Sequence, residues 1–282
     1  MLLPVTLALV TALTFATSGI LIKNVSSKRG YLFASFFIAV GNIIVLSAAV
    51  LLIGPIGISY YSLLFSVLSG IALVLGYMLF YKTLEKQQAS NTYATVEVQV
   101  LLIALYGIFA LGESVSLAKG IGIIAIVVGI LFVSIEKGMK FNGRLVPALI
   151  ANVFWSLSWI LLVYPINHTP NHVIPTLVSF LVFFTIVLAV VLAKGKNRAA
   201  ISAKSSKLAA IGTAAGVSSG LGNAIFTILT SIKQLVTAAV VSNTSPAIVA
   251  VFAHFIYHDR LSKIQILGLA IVVCGGVILG AY

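Results

Sequence analysis

Gly112–Phe132 reads GESVSLAKGIGIIAIVVGILF and His258–Ile278 reads HDRLSKIQILGLAIVVCGGVI. At a constant offset of 146, Glu113 falls on Asp259, Ser116 on Ser262, Gly122 on Gly268, Val127 on Val273 and Gly129 on Gly275. Each copy is an acidic residue, a short polar loop, and then an apolar helix with small residues on one face. Each copy is also the last such unit of its half. The chain is therefore read as a duplication, with repeats at residues 1–140 and 141–282.

Working outward, runs of about 20 apolar residues, long enough to cross the hydrocarbon of a bilayer, recur ten times. They lie near Pro4–Ile22, Tyr31–Ile53, Tyr61–Tyr81, Ala89–Leu111, Leu117–Ile135, Leu145–Val163, Val173–Ala193, Leu208–Ser231, Leu235–Tyr257 and Lys263–Tyr282. The first has no basic segment before it and is read as a retained span rather than a signal peptide. A weaker match joins the opening helices: Phe15 and Ser18 lie over Trp155 and Ser158. The fold class is thus an all-α membrane protein, ten transmembrane helices as a five-plus-five repeat. Five is odd, so the second half enters the membrane from the opposite side and the repeat is inverted.

Composition agrees. The chain is 61% hydrophobic and 8% charged, with mean hydropathy +1.19, far from the charged surface that a soluble domain of this size needs. The 17 Lys+Arg against 5 Asp+Glu sit in short loops and form no basic face with interleaved aromatics, so no nucleic-acid partner is expected. Fifteen of the 17 basic residues lie in odd-numbered loops; only Lys119 and Lys233 lie in even ones. Basic loops stay in the cytoplasm, which predicts a multi-pass protein of the cell membrane with both termini outside. The lone Cys274 has no disulfide partner and is expected to pack.

Ten spans, a five-plus-five inverted repeat, and an acid followed by Ser and a Gly-rich closing helix resemble the drug/metabolite transporter superfamily in its EamA-type branch. The resemblance covers essentially the whole chain and is carried best by Leu111-Gly-Glu113 through Gly129, and by Pro246 with Asp259 through Gly275. It departs at two places: the first-half match of Pro246 is Val100, and the opening-helix tryptophan of the family is Phe15 here and Trp155 in the second half. The resemblance implies a carrier with its substrate site between the halves, but not a cargo, because one fold hosts many functions.

Candidate site residues are the polar and aromatic groups at mid-span. Glu97 is the ninth residue of the fourth run, about 12 Å along a helix. A charged carboxyl at that depth costs about 2.5–3.5 kcal/mol. Two readings stay open for it: a neutral or hydrogen-bonded structural group, or a cavity residue that binds a cation or a coupling proton. The offset of 146 brings Asn243 onto Glu97. Tyr93 precedes Glu97 by one helical turn and is expected on its face. Trp155, Asn152, Ser18, Asn223 and Tyr77 complete the substrate-binding set, with Trp159 either a cavity or an interfacial residue. Most membrane Ser and Thr glue helices rather than bind ligands. Glu113 and Asp259 are expected to cap the helix that follows each.

No catalytic residue, metal site or cofactor is expected. His254 and His258 have zinc spacing but no third ligand, and phosphate-binding glycine loops and nucleophile elbows are absent. The expected function is secondary transport of a small metabolite, a cation or a zwitterion such as an amino acid or amine, by alternating access with protons as the coupling ion at Glu97. A sugar or nucleotide-sugar carrier of the same superfamily, a channel and an intramembrane enzyme are the alternatives. The partners are a small-molecule substrate and the lipid bilayer.

Overall fold

In a computed structural model, residues 2–87, 89–113, 115–134, 146–193, 206–242, 244–257 and 262–281 are described. The described residues are helical, without strands. In chain order the helices are α1 (Leu2–Arg29), α2 (Tyr31–Ile53), α3 (Tyr60–Lys86), α4 (Ala89–Tyr93), a 3₁₀ turn (Ala94–Val96), α5 (Glu97–Phe109) and α6 (Leu117–Ser134). The second half supplies α7 (Val146–His168), α8 (Ile174–Ala193), α9 (Ser206–Ser231), α10 (Leu235–Ser242), α11 (Ser245–Tyr257) and α12 (Lys263–Ala281). Six helices, α1, α2, α3, α7, α8 and α9, are long and apolar enough to cross a membrane.

The fourth and ninth apolar runs are each interrupted. In the second half the helix stops at Ser242 and a new one starts at Ser245, immediately before Pro246, where the missing proline N–H cannot continue the ladder. In the first half the interruption is the 3₁₀ turn at Ala94–Val96, although no proline is present. There the Thr95 hydroxyl donates to the Thr92 carbonyl at 2.7 Å, diverting a backbone acceptor from the helix. The turn also separates Tyr93 from Glu97, so the two do not lie one regular α-turn apart as expected.

Loop chemistry sets the helix ends. Gly30 and Gly112 adopt positive φ (85° and 66°), and so does Lys233 (59°). The Lys23 Nζ donates to the carbonyls of Leu84 and Gln87, both at 2.6 Å, placing a cation on the C-terminal end of α3 where the helix dipole favours it. At the other pole of that logic, Glu85 Oε2 accepts the Tyr31 N–H at 3.1 Å, at the start of α2.

Small residues weld helices of opposite halves. Gly212, Gly216 and Gly220 form a stripe on α9 that packs on α2: a Cβ on Gly216 would collide with the Ile38 carbonyl, and one on Gly41 with the Thr213 carbonyl. Gly70 of α3 meets Ser179 and Val182 of α8 in the same way, and Gly70 and Gly216 are 146 residues apart. The closing helices repeat the device. Gly129 of α6 abuts the backbone of Gly268 and Val272, and Gly275 of α12 abuts Gly122 and Ile126. This close approach is how membrane helices associate when lipid is as apolar as their side chains. Cys274, expected to pack, is exposed on α12.

Candidate functional site

A central cavity of about 870 Å³, counting the space continuous with its mouth, lies between the halves. Its walls come from α1, α2, α3, α4, α5, α7, α8, α9, α11 and the 3₁₀ turn; among the described residues none from α6 or α12 lines it.

The lining repeats the duplication. At the offset of 146, Leu73 pairs with Ser219, Tyr77 with Asn223 and Gln99 with Ser245; at the opening helices Phe15 pairs with Trp155 and Ser18 with Ser158, and all ten line the cavity. The close contacts repeat too. A Cβ on Gly76 would lie 2.5 Å from Trp155 Cδ1, and one on Gly222, the match of Gly76, would lie 2.6 Å from Phe15 Cε1. The cavity therefore sits on the axis that relates the halves.

The equivalent positions carry different chemistry. One wall is aromatic. Tyr77 stacks on Phe183 (4.8 Å between centroids, 16°) and meets Trp155 edge-on at 5.1 Å, while Phe80 contacts Trp155 at 4.7 Å and Tyr93 at 5.1 Å. Other parts of the lining are built on amides and hydroxyls. Asn42, fully buried, donates to the Ile38 carbonyl (2.9 Å) and to Ser219 Oγ (2.7 Å), and accepts from Asn223 Nδ2 at 2.8 Å. Ser158 is hydrogen-bonded to Ser69, and Thr176 to Thr227, each at 2.8 Å. No described lining residue is Asp, Glu, Lys or Arg.

Of the residues singled out from sequence, Tyr77, Tyr93, Trp155, Ser18 and Asn223 line this cavity, as does Trp159. Asn152 is fully buried beside it. Its Nδ2 donates to Thr95 Oγ1 at 2.9 Å and to the Ala148 carbonyl at 2.7 Å, tying α7 to the interrupted fourth run; its Oδ1 has no partner among the described residues. The Trp155 indole N–H is likewise buried and has no partner among the described residues. The side chain of Glu97 and the whole of Asn243 lie outside the described residues, as do Asp259 and His258. Sequence reasoning missed Gln99 and Phe180, which line the cavity together with Tyr81 and Ser245, and Asn42, which is bonded to two lining residues. A lone asparagine in an otherwise apolar run was the available signal for Asn42.

Trp159 and Phe226, with ring centroids 4.2 Å apart, close one end. One turn further along the same two helices, Val163 and Thr230 line a second, larger cavity of about 1570 Å³ that also takes in Glu113, Lys233 and Gln234. Glu113 reaches beyond its own half. Its Oε1 and Oε2 accept the N–H groups of Leu235 and Val236, each at 3.1 Å, so the first half's acid caps α10 of the second half. Among the described residues no group of three or more His, Cys, Asp or Glu could hold a metal ion.

Two duplicated sets of apolar helices enclosing a cavity between them define a multi-pass membrane protein. The EamA-like transporter family model matches residues 2–135 and again 145–281, and the chain belongs to that family, within the drug/metabolite transporter superfamily. Its members are transporters, which act on small molecules across the membrane in which they are embedded. No curated protein matches the chain. A solved structure titled "Crystal structure of protein" is similar in fold, with a TM-score of 0.71 at 16% identity over 98% of this chain and 95% of that one.

Proposed function

We propose that the chain is a secondary active transporter of a small organic cation or zwitterion, carried through the central cavity by alternating access. The observation that carries this is the cavity's position on the repeat axis, lined by equivalent residues of both halves. A site on such an axis can be served from either side as one half rocks against the other. The aromatic wall suits a cation through the negative faces of its rings. The absence of Lys and Arg among the described lining residues favours this over a highly anionic cargo such as a nucleotide sugar.

The architecture in this reading is ten spans as an inverted repeat in the cell membrane, with the interrupted fourth and ninth runs each counted as one span. The basic odd loops are cytoplasmic and both termini outside. Glu97 opens α5 immediately after the 3₁₀ turn and carries substrate charge or a coupling proton; Tyr93, Tyr77, Trp155, Ser18, Asn223, Asn152 and Asn243 complete the site.

The test is Glu97→Gln in proteoliposomes, which keeps shape and hydrogen bonding but removes titration. Insertion is expected to survive while proton-linked uptake or cation exchange is lost. Unchanged rate and pH dependence would make Glu97 structural.

A further inference from the structure

Lys23 and Val163 occupy matching positions of the two halves and stand in unlike surroundings. The register that lays Phe15 on Trp155 and Ser18 on Ser158 continues from Ile20-Leu21-Ile22-Lys23 onto Ile160-Leu161-Leu162-Val163. It sets a cation against a valine and, one turn earlier, Gly19 against Trp159.

In the first half, two successive turns of α1 are joined to α4 and to the end of α3. Gly19 makes room for Tyr93: a Cβ there would lie 2.6 Å from the phenolic oxygen. One turn on, Lys23 Nζ donates to the carbonyls of Leu84, in the last turn of α3, and of Gln87, its C-cap, both at 2.6 Å. Carbonyls at a helix end lack intrahelical donors, and one ammonium serves two of them. Ile22, Val25 and Leu84 are fully buried in a single apolar cluster.

The second half has no such joint at the matching positions. Trp159 packs on Phe226, the match of Phe80, with ring centroids 4.2 Å apart. Val163 offers no donor, and it lines the second cavity together with Thr230 and Lys233, the matches of Leu84 and Gln87. Large and small are exchanged as well, since Tyr93 is matched by Ala239. The two ends therefore close by different means. Parting the first exchanges two charge-assisted hydrogen bonds for water. Parting the second separates two rings with open space one turn beyond them.

We infer that Lys23 is a latch: it holds the cytoplasmic end of the central cavity shut, so the empty protein rests facing outside. The joint between α1 and α3 must release before the cavity faces the cytoplasm. The inference rests on the carrier reading and orientation proposed above, and adds which face the empty protein presents and the residue that sets it.

The test uses the full chain with Cys274→Ser and one reporter, Leu73→Cys, on the cavity wall of α3. A membrane-impermeant thiol reagent is applied to sealed right-side-out and inside-out vesicles. The parent is expected to react faster from outside. Lys23→Met keeps the stem and removes the donors; it is expected to raise the inside rate several-fold and lower the outside rate, because labelling follows the fraction of molecules that face the reagent. Lys23→Arg keeps the cation and is expected to restore the parent's ratio. A helix cap with no part in access would lower the melting temperature and leave that ratio where it was. Inside labelling of Lys23→Met no faster than the parent's overturns the latch, and so does a Lys23→Arg ratio that follows Lys23→Met. If Lys23→Met fails to insert, Lys23→Gln is read by the same criterion. Solute exchange in vesicles judges the carrier reading separately: exchange with an unmoved ratio sinks the latch alone, and a moved ratio without exchange sinks the carrier alone.

Discussion

The side-chain amide of Asn223, on α9, donates at 2.8 Å to the side-chain oxygen of Asn42, on α2. The two belong to opposite halves of the duplication, and Asn42 passes the connection on to Ser219 and to its own helix backbone. A buried amide with its partners supplied joins the halves beside the cavity and fixes the orientation of a lining residue.

Asn42→Ala removes an acceptor from Asn223 and a donor from Ser219. Loss of such interhelical bonds in membranes is worth about 0.6–2 kcal/mol. The expected outcome is a lower melting temperature in detergent and weaker substrate binding, because the freed Asn223 amide turns toward the cavity. A thermal melt combined with ligand titration checks both.

Gly216→Ala and Gly76→Ala separate scaffold from site. At Gly216 the new methyl meets backbone, the Ile38 carbonyl, and cannot be relieved by a rotamer change. Overpacking of about 1–3 kcal/mol is expected, seen as poor yield and early melting. At Gly76 the nearest atoms belong to the Trp155 ring, at 2.5 and 2.8 Å. That ring must shift, so a change in tryptophan emission and in substrate affinity is expected with a smaller loss of stability.

Removing the carboxylate in Glu113→Ala frees the Leu235 and Val236 amides at the start of α10. Loss of a helix cap costs about 0.5–2 kcal/mol. Glu113→Gln keeps an acceptor oxygen and should recover part of the loss. Hydrogen exchange at residues 235–238, compared across the two variants, measures it directly.

For the orientation, a single cysteine at position 196, in a Cys274→Ser background, is expected to be protected from impermeant reagents in intact cells, and one at the C-terminus to be labelled. Labelling of position 196 from outside reverses the orientation.

The duplication and the long helices were legible because a bilayer leaves the backbone no partner but itself, so an apolar run must be helical. The family's match in two segments accords with the repeat read from Glu113 through Gly129 and Asp259 through Gly275. The break at Ala94–Val96 was not legible. Val100 stands where the second half has Pro246, and the interruption involves Thr95 turning onto its own backbone and Asn152 reaching over from α7. Nor was the partner of Glu113, since the helix it caps lies 122 residues away in the other half. Tyr77, Tyr93, Trp155, Ser18 and Asn223 could be named from depth in their spans. Their convergence with Gln99 and Ser245 depends on how the halves close on each other, which no local pattern encodes.

The unlike furnishing of equivalent positions has an energetic consequence. In a carrier built from two identical inverted halves, the form open to one side and the form open to the other would be the same object turned over, equal in free energy. Here the swap exchanges a tyrosine for an asparagine at 77 and 223, and an indole for a phenyl ring at 155 and 15. In the alternating-access reading proposed above, this lifts the degeneracy, and the empty protein is expected to rest preferentially on one face. Apparent affinity is divided by the fraction of molecules that face the ligand, so the same substrate should bind with different strength from the two sides. Without a driving gradient that inequality alters the rates of filling and emptying, never the final ratio of concentrations.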